Sequence, residues 1–448
     1  MLAPPSESRS DRLRRDEAIN KGLVASVGAR VIAIACSLVQ IPIALNWLGA
    51  GRYGLWVMLT TATALLTVMD LGLGLGMQNQ TAAALSRNER ARAATLFTTA
   101  VVMLAGLGAI LFGAGLWVIR LAEHRELIRL TDPALADAAR SGAIAALAVF
   151  CVGLPLGAAV RLANACQWGW LGAIWTAVGG AGQLAAVALA AHWQVSFSQF
   201  VWIAGLAPLA ANLALLVHTT LRLGWRPRDL RFAGAPDRST LIGSGLQFGL
   251  PQLGAVFIYN IAPPAIGAFA GPAAVASFHV LQRIFGVFSQ IQQLFLGPVW
   301  PAYTDAFARG DHEWIRAAYR RTLRLTLIFV AGPLLAAGVA TPMLVSLWVG
   351  PLTIPNALVW TVAAWNLLLC LGQPPANLLG GIGRVHRLAY LSMAGHAISA
   401  VLLYVCGERW GAVGVVSGLA IGYLVIGLPG TFFEAHAAMA SPRSLERR

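Results

Sequence analysis

The chain has 448 residues, of which 58% are hydrophobic and 11% carry a charge, and its mean hydropathy is +0.69. This composition excludes an ordinary cytosolic enzyme and a disordered or disulfide-stapled chain. The net charge of +14 could indicate nucleic acid binding, but all of the 32 basic residues except one are arginines, and most lie in short loops between apolar segments. We therefore expect a polytopic membrane protein that binds no nucleic acid.

Twelve apolar segments of spanning length follow one another, and continuous apolar runs indicate helices rather than barrel strands. They cover residues 23–46, 54–77, 96–119, 141–163, 168–190, 200–220, 241–268, 274–300, 322–346, 356–374, 388–405 and 411–433. The polar first 22 residues, followed by a spanning segment, do not resemble a cleavable signal peptide. The sequence predicts an all-α fold with about 12 transmembrane helices.

The distribution of arginine predicts the orientation of these helices. With the amino terminus in the cytoplasm, the inner segments carry 24 of the 32 Lys and Arg residues and the outer loops carry 6. The other two arginines lie inside helices. We therefore place both termini in the cytoplasm.

A strongly basic linker divides the chain near its midpoint, and a shift of 222 positions superposes several landmarks of the two halves. The pairs are Pro42 with Pro264, Gly49 with Gly271, Arg87 with Arg309 and Glu89 with Asp311. Because six helices is an even number, the halves would be parallel repeats with pseudo-twofold symmetry, holding substrate between them. The predicted domains are a cytoplasmic tail (1–22), a six-helix bundle (23–221), a cytoplasmic linker (222–240), a second six-helix bundle (241–433) and a cytoplasmic tail (434–448).

The segment 274–300 carries a polar stripe. At 100° per residue, an arc of about 120° contains Ser289, Gln282, Gln293, Gly286, His279, Gly297, Gln290 and Arg283. Only Gln292 departs from this pattern. A charge at bilayer depth costs a few kcal/mol unless it faces water or a partner, so we interpret the stripe as the wall of a water-filled cavity. The alternative is that these side chains form hydrogen bonds between packed helices. His279 could titrate near neutral pH or be a hydrogen-bonded core residue.

The first two apolar segments carry weaker polar faces. In the first, an arc of about 80° holds Ser26, Arg30, Ser37 and Gln40. In the second, Asp70 could pair with Arg30, act as a protonatable coupling group or simply lie at the interface. Two intramembrane arginines against one aspartate make the expected cavity net positive. Since guanidinium binds phosphate through a bidentate fork, an anionic substrate is favoured over a cationic drug.

Prolines interrupt the seventh segment at Pro251, Pro263 and Pro264, and could form either a hinge for alternating access or a static kink. The chain also has five cysteines in or beside apolar segments, without a CxxC motif or a nearby histidine cluster. They are Cys36, Cys151, Cys166, Cys370 and Cys406. We expect no disulfide, no metal site and no cofactor.

Several loose motifs resemble the polysaccharide-transporter branch of the multidrug/oligosaccharidyl-lipid/polysaccharide exporter superfamily. They are Gly49-Ala-Gly-Arg-Tyr-Gly-Leu-Trp56, Met69-Asp-Leu-Gly-Leu-Gly-Leu-Gly76, Leu281-Gln-Arg-Ile284 leading to Gly297-Pro-Val-Trp-Pro-Ala-Tyr303, and Leu379-Gly-Gly-Ile-Gly-Arg384. The resemblance implies two six-helix bundles that flip undecaprenyl-diphosphate-linked oligosaccharide across the bacterial inner membrane for O-antigen or other surface polysaccharide. In the similar lipid II flippases an arginine early in the eighth helix lies in a cationic cavity, and Arg283 is the matching position. Arg30 matches their first-helix arginines approximately.

The first hypothesis is therefore a lipid-linked oligosaccharide flippase. Its expected substrate-binding residues are Arg283, Arg30, His279, Gln282, Gln290, Gln293 and Gln40, with Asp70 or His279 as possible coupling groups. Expected partners are the anionic lipid-linked substrate, membrane lipids, a polysaccharide polymerase and glycosyltransferases. The alternative is a multidrug antiporter on the same fold. A membrane enzyme is not expected, because the sequence has no HExxH, no DxD and no nucleophile elbow.

Overall fold

The computed structural model describes residues 9–70, 72–124, 132–226 and 260–440, together with 231–232, 234, 237–243 and 245. Within these ranges the regular structure is helical and there is no strand. The α-helices are α1 (Arg9–Leu65), α2 (Leu73–Ser86), α3 (Arg90–His124), α4 (Pro133–Ala165), α5 (Gly169–His192), α6 (Phe197–Leu223), α7 (Ala262–Ala270), α8 (Pro272–Leu296), α9 (Val299–Ala308), α10 (His312–Thr326), α11 (Gly332–Trp348), α12 (Asn356–Gly381), α13 (Val385–Gly422) and α14 (Leu428–Ala440).

Eight helical stretches among the described residues are long and apolar enough to cross a membrane. Two of them, Ala25–Leu65 with 41 residues and Met393–Met439 with 47, are long enough to cross it twice. At 1.5 Å per residue they measure about 60 and 70 Å, against a hydrocarbon core of about 30 Å. Both are bent at a glycine with non-helical backbone angles, Gly49 in α1 and Gly411 in α13. The predicted segment 241–268 lies mostly outside the described residues.

The predicted second segment, 54–77, is not one helix, and this expectation was wrong. α1 ends at Leu65, a 3₁₀ turn covers Leu66–Asp70, and α2 starts at Leu73. Gly72 between them has a φ of 75°, a left-handed conformation that favours glycine. The Asp70 carboxylate accepts the Gly72 N–H at 2.7 Å and stabilises the break. The apolar pattern continues through this turn, so periodicity alone could not reveal it.

Polar residues at the helix starts explain where three of the helices begin. Asp132 accepts the Ala134 N–H at 2.9 Å at the start of α4. A capping box formed by Ser196 and Gln199 begins α6. Asp311 accepts the Trp314 N–H at 3.0 Å at the start of α10. Each side chain satisfies a backbone donor that the first helical turn leaves unpaired.

The chain forms two compact units. Unit 1 comprises Met1–Trp47 and Leu66–Leu250, and unit 2 comprises Leu48–Leu65 and Pro251–Arg448. The core of unit 1 includes Leu73, Met77, Leu96, Phe97 and Leu162. The core of unit 2 includes Tyr303, Tyr319, Leu378 and Leu379. The domain boundaries given above remain predictions.

Backbone conformation recurs between the two halves of the chain. Gly49 has φ 73° and ψ 165°, and Gly271, 222 positions later, has φ 78° and ψ 167°. The positive φ of Asn88 (60°) recurs at the same shift in Gly310 (72°). Further along, two more pairs share a positive φ but lie only 216 and 217 positions apart: Gln167 with Gly383, and Gln194 with Gly411. The change of offset means that a shift without gaps aligns only the first part of each half.

Candidate functional site

One edge of the polar stripe on α8 is hydrogen-bonded to α12. Gln282 and Asn366 exchange amide hydrogen bonds of 3.0 and 3.4 Å, and Asn366 is 1% exposed. Farther along α8, the Ser289 hydroxyl lies 3.3 Å from the Cys370 sulfur. At this edge the side chains of the stripe form hydrogen bonds between two helices, as the alternative interpretation describes.

Gln292, the residue that departs from the stripe, has a local structural role. It is fully buried, and its amide nitrogen donates to the Thr326 hydroxyl at 3.0 Å and to the Cys370 carbonyl at 2.7 Å. In a regular helix the Cys370 carbonyl would accept the N–H of residue 374, but Pro374 has none. Gln292 therefore satisfies a backbone acceptor that proline leaves unpaired.

The other edge of the stripe contains a chain of three polar side chains, all within unit 2. Arg283 Nε donates to His279 Nε2 at 3.4 Å, and His279 Nδ1 lies 2.7 Å from the hydroxyl of Tyr53. Because a guanidinium can only donate, Nε2 is the acceptor, so the neutral imidazole carries its proton on Nδ1 and donates it to the Tyr53 oxygen. Tyr53 is fully buried in the second part of α1. His279 therefore connects a buried anchor to the arginine.

Arg283 is the uncompensated cation of this edge. It lies near the middle of α8 and is half-buried. Among the described residues no carboxylate forms an ion pair with it, and the His279 contact uses only its Nε. The two terminal NH₂ groups, the fork that binds oxyanions, thus have no protein partner in this part of the chain. Gln290, two turns farther along α8 on this side of the stripe, and Gln293, three turns farther but toward the Gln282 edge, are exposed.

In unit 1, Arg30 is exposed on α1 and forms no ion pair with any described residue. Ser37 and Gln40 follow it two and three turns later and line a groove of about 400 Å³. α5 and α6 form most of the remaining wall. The structure therefore brings Gln40 into a polar recess within unit 1.

Asp70 forms no ion pair with Arg30 among the described residues, which removes one of the three alternatives given for it. One carboxylate oxygen accepts the Gly72 N–H. The other lies 3.5 Å from the position that a Cβ on Gly74 would take, and Arg161 Nε lies 3.8 Å from the same point. Asp70 is thus a turn-stabilising residue beside Arg161, and its coupling role remains a prediction.

The prolines proposed as a hinge are only partly described. Pro251 lies outside the described residues. Pro263 and Pro264 lie in the first turn of α7, directly after a bend at Ile261. Proline fits this position because the first turn of a helix needs no backbone donor. Whether this bend acts as a hinge remains a prediction.

The sequence did not single out Tyr53, Asn366, Trp175 or Asn212 as site residues. Tyr53 lies in the Gly49–Trp56 motif, which was the available signal. The other three are isolated polar or amphipathic residues in apolar segments: Asn366 and Trp175 have hydrogen-bond partners distant in the chain, and Asn212 lines the groove together with Gln40. No group of three potential metal ligands occurs among the described residues.

No protein-family model and no curated protein matches the chain. Solved structures do match. The inward-facing conformation of a multidrug resistance MATE family transporter of the MOP superfamily is 14% identical, with a TM-score of 0.76 over 94% of this chain and 99% of that one. An outward-facing structure of such a transporter is 14% identical, with a TM-score of 0.61 over 95% and 96% of the two chains.

A third structure is that of a MOP superfamily transporter from Pyrococcus furiosus, described as having a binding pocket of reverse polarity that suggests a different function. It is 13% identical, with a TM-score of 0.62 over 94% of this chain and 96% of that one. These similarities show that the chain has the fold of MATE transporters, which have 12 transmembrane helices in two bundles, and this confirms the predicted fold class. The resemblance to the exporter superfamily is confirmed at the level of the fold.

Proposed function

We propose that this chain is a flippase that moves an undecaprenyl-diphosphate-linked oligosaccharide across the bacterial inner membrane by alternating access, for the synthesis of surface polysaccharide such as O-antigen. Both termini would be cytoplasmic, as the arginine distribution indicates. The membrane-spanning helices and the transporter fold support a general activity in transport. The chemistry of the polar residues supports the choice of an anionic substrate.

The single observation that carries this proposal is that the two terminal NH₂ groups of Arg283 have no hydrogen-bond partner among the described residues. An unpaired charge within the hydrocarbon region costs at least a few kcal/mol, so it needs water or an anion. Its Nε is held by His279, while its two NH₂ groups have no partner among the described residues. A diphosphate supplies oxyanions for such a fork.

Each polar residue then has a defined role. Arg283, and separately Arg30, would bind phosphate oxygens, while Gln290 and Gln293 would bind sugar hydroxyls. Gln282 holds α8 against α12 rather than contacting substrate directly. His279 positions Arg283 and remains, with Asp70, a candidate coupling group. A polysaccharide polymerase and glycosyltransferases would use or supply the same lipid-linked substrate.

A multidrug antiporter is the second candidate, because two of the matching structures are described as multidrug resistance transporters. A cationic drug would need a free carboxylate. Asp70 already accepts a backbone N–H and lies near Arg161, which disfavours cation binding there. If this candidate were correct, deletion of the gene would raise sensitivity to cationic drugs and leave surface polysaccharide unchanged.

The test compares Arg283→Ala with Arg283→Lys and with Arg309→Ala, which removes an exposed arginine paired with Asp305. Since hydrogen bonds to charged groups contribute about 1.5–3 kcal/mol, Arg283→Ala should lower flipping about 10- to 100-fold. Arg283→Lys should keep part of the activity and Arg309→Ala all of it. The measurements are surface polysaccharide in a deletion strain and flipping in proteoliposomes. Undiminished polymer from normally expressed Arg283→Ala would refute the assignment.

A further inference from the structure

Unit 1 contains a groove lined by both polar and apolar residues, and the roles proposed above do not account for most of it. It has a volume of about 400 Å³. Small residues leave this space open: Ala33, Gly179, Gly180 and Ala211 all line it. A Cβ added to Gly180 would meet only the Ala33 Cα within 4 Å, at 3.9 Å. The groove is thus large enough for a ligand of small-molecule size.

The hydrogen-bonding groups of this groove offer both donors and acceptors. Gln40 and Asn212 have no hydrogen bond to any described residue, so each presents a complete amide. The Ser37 and Thr176 hydroxyls donate to their own helix backbone, at 2.8 Å to Ile34 and 2.8 Å to Gly172, and therefore present lone pairs. A surface that offers both donors and acceptors is the complement of sugar hydroxyls, each of which both donates and accepts.

An aromatic ring and the absence of charge complete this chemistry. Trp175 lines the groove, and its indole N–H donates to His218 Nδ1 at 3.3 Å, which holds the ring in place. The negative face of an aromatic ring attracts the polarised C–H groups of a pyranose. Among the described residues lining the groove none is charged. Such a surface favours a neutral sugar over a uronic acid or a cation.

We infer that the groove of unit 1 binds a neutral sugar of the substrate headgroup, an inference that rests on the proposed function. Arg30 lies seven residues before Ser37 and ten before Gln40 on α1, or about 10–15 Å along the helix axis. A diphosphate bound at Arg30 would place the attached sugars within reach of this groove. Gln40, Asn212 and Trp175 then determine sugar specificity, whereas Arg30 contributes to phosphate affinity.

The experiment measures binding to the full chain in lipid nanodiscs. The probes are farnesyl diphosphate and its lactosyl, maltosyl and glucuronyl derivatives. Wild type should bind at least one neutral-sugar probe about tenfold more tightly than farnesyl diphosphate, and the glucuronyl probe no more tightly. Gln40→Leu combined with Asn212→Leu, and separately the groove-filling Gly180→Leu, should reduce this preference to less than twofold without weakening farnesyl diphosphate binding. Asn79→Leu, at an exposed amide of unit 1, is the matched control.

The outcomes separate the two proposals. If wild type binds farnesyl diphosphate but shows no preference for a neutral sugar, or if the groove variants keep that preference, the inference is wrong and the flippase proposal stands. Equal loss of affinity for farnesyl diphosphate and for the neutral-sugar probes in the groove variants would also overturn the inference. If wild type binds none of the probes, the proposed function fails as well. Gly180→Leu fills the groove and keeps both amides, so it tests whether the amide variants act through the groove or through folding.

Discussion

Gly54 lies at a very tight backbone contact within unit 2. A Cβ at this position would lie 1.7 Å from the carbonyl oxygen and 2.6 Å from the carbonyl carbon of Pro272, the first residue of α8. Both obstructing atoms belong to the backbone, so no side-chain rotation relieves the clash. The neighbouring residue Tyr53 makes the 2.7 Å contact with His279. Gly54→Ala therefore perturbs packing and the Tyr53–His279–Arg283 chain together.

The magnitude follows from the distances. Real Cβ atoms essentially never approach other heavy atoms within 3.0 Å, so the two backbones must separate by about 1.3 Å. That separation extends the Tyr53–His279 contact beyond hydrogen-bonding distance. Overpacking costs about 1–3 kcal/mol and the lost hydrogen bond about 1 kcal/mol, while alanine in a helix recovers about 1 kcal/mol relative to glycine. We expect a net destabilisation of about 2 kcal/mol.

Gly51→Ala is the matched control. Gly51 lies on the same helix as Gly54, but a Cβ at Gly51 would meet nothing within 4 Å. Thermal denaturation of the detergent-purified chain should show Gly54→Ala several degrees below wild type and Gly51→Ala at or above it. Farnesyl diphosphate binding should fall in Gly54→Ala because Arg283 loses its support. Equal stability of the two variants would refute the packing argument.

Two further predictions concern the hydrogen bonds of α8. Tyr53→Phe removes the acceptor of the His279 proton, so farnesyl diphosphate binding should weaken several-fold, but not when Arg283 is already alanine. Additive effects of the two substitutions would contradict the positioning role. Gln292→Leu leaves the Cys370 carbonyl unpaired and should lower the free energy of unfolding by about 1–2 kcal/mol, measured by thermal denaturation. Pro374→Ala restores a backbone N–H and should recover most of that loss, whereas additive destabilisation by the two would contradict this explanation.

The sequence predicted the fold class because long apolar segments leave helices as the only alternative in a bilayer. It did not predict the break at Gly72, since a turn stabilised by one aspartate lies within an uninterrupted apolar pattern. The repeat was visible at Gly49 and Gly271, where a positive φ requires glycine in both halves. The recurrence at Gln167 and Gly383 was hidden, because these residue types differ and the offset has changed.

For the candidate site, helical periodicity identified the polar stripe but not its division. Gln282 and Gln293 lie within about 20° of each other on α8, yet one is paired and the other exposed. The difference comes from Asn366, 84 positions away in the chain, whose place beside α8 depends on tertiary packing. A single asparagine in an apolar segment has no distinguishing pattern. Periodicity thus gives the direction of a side chain, and only the fold gives its partner.

The fold alone cannot distinguish a flippase from a drug antiporter, because the same bundles are compatible with substrates of either charge. The sign of the unpaired charge on α8 favours the flippase that we propose. A bound cation would add to the charge of Arg283, which has no compensating carboxylate among the described residues, whereas an anion would neutralise it. In the hydrogen bond from Arg283 to His279 the imidazole Nε2 is the acceptor, so the guanidinium is the charged member of the pair. We therefore expect a substrate that carries phosphate to gain binding energy at the position where a cationic drug would lose it.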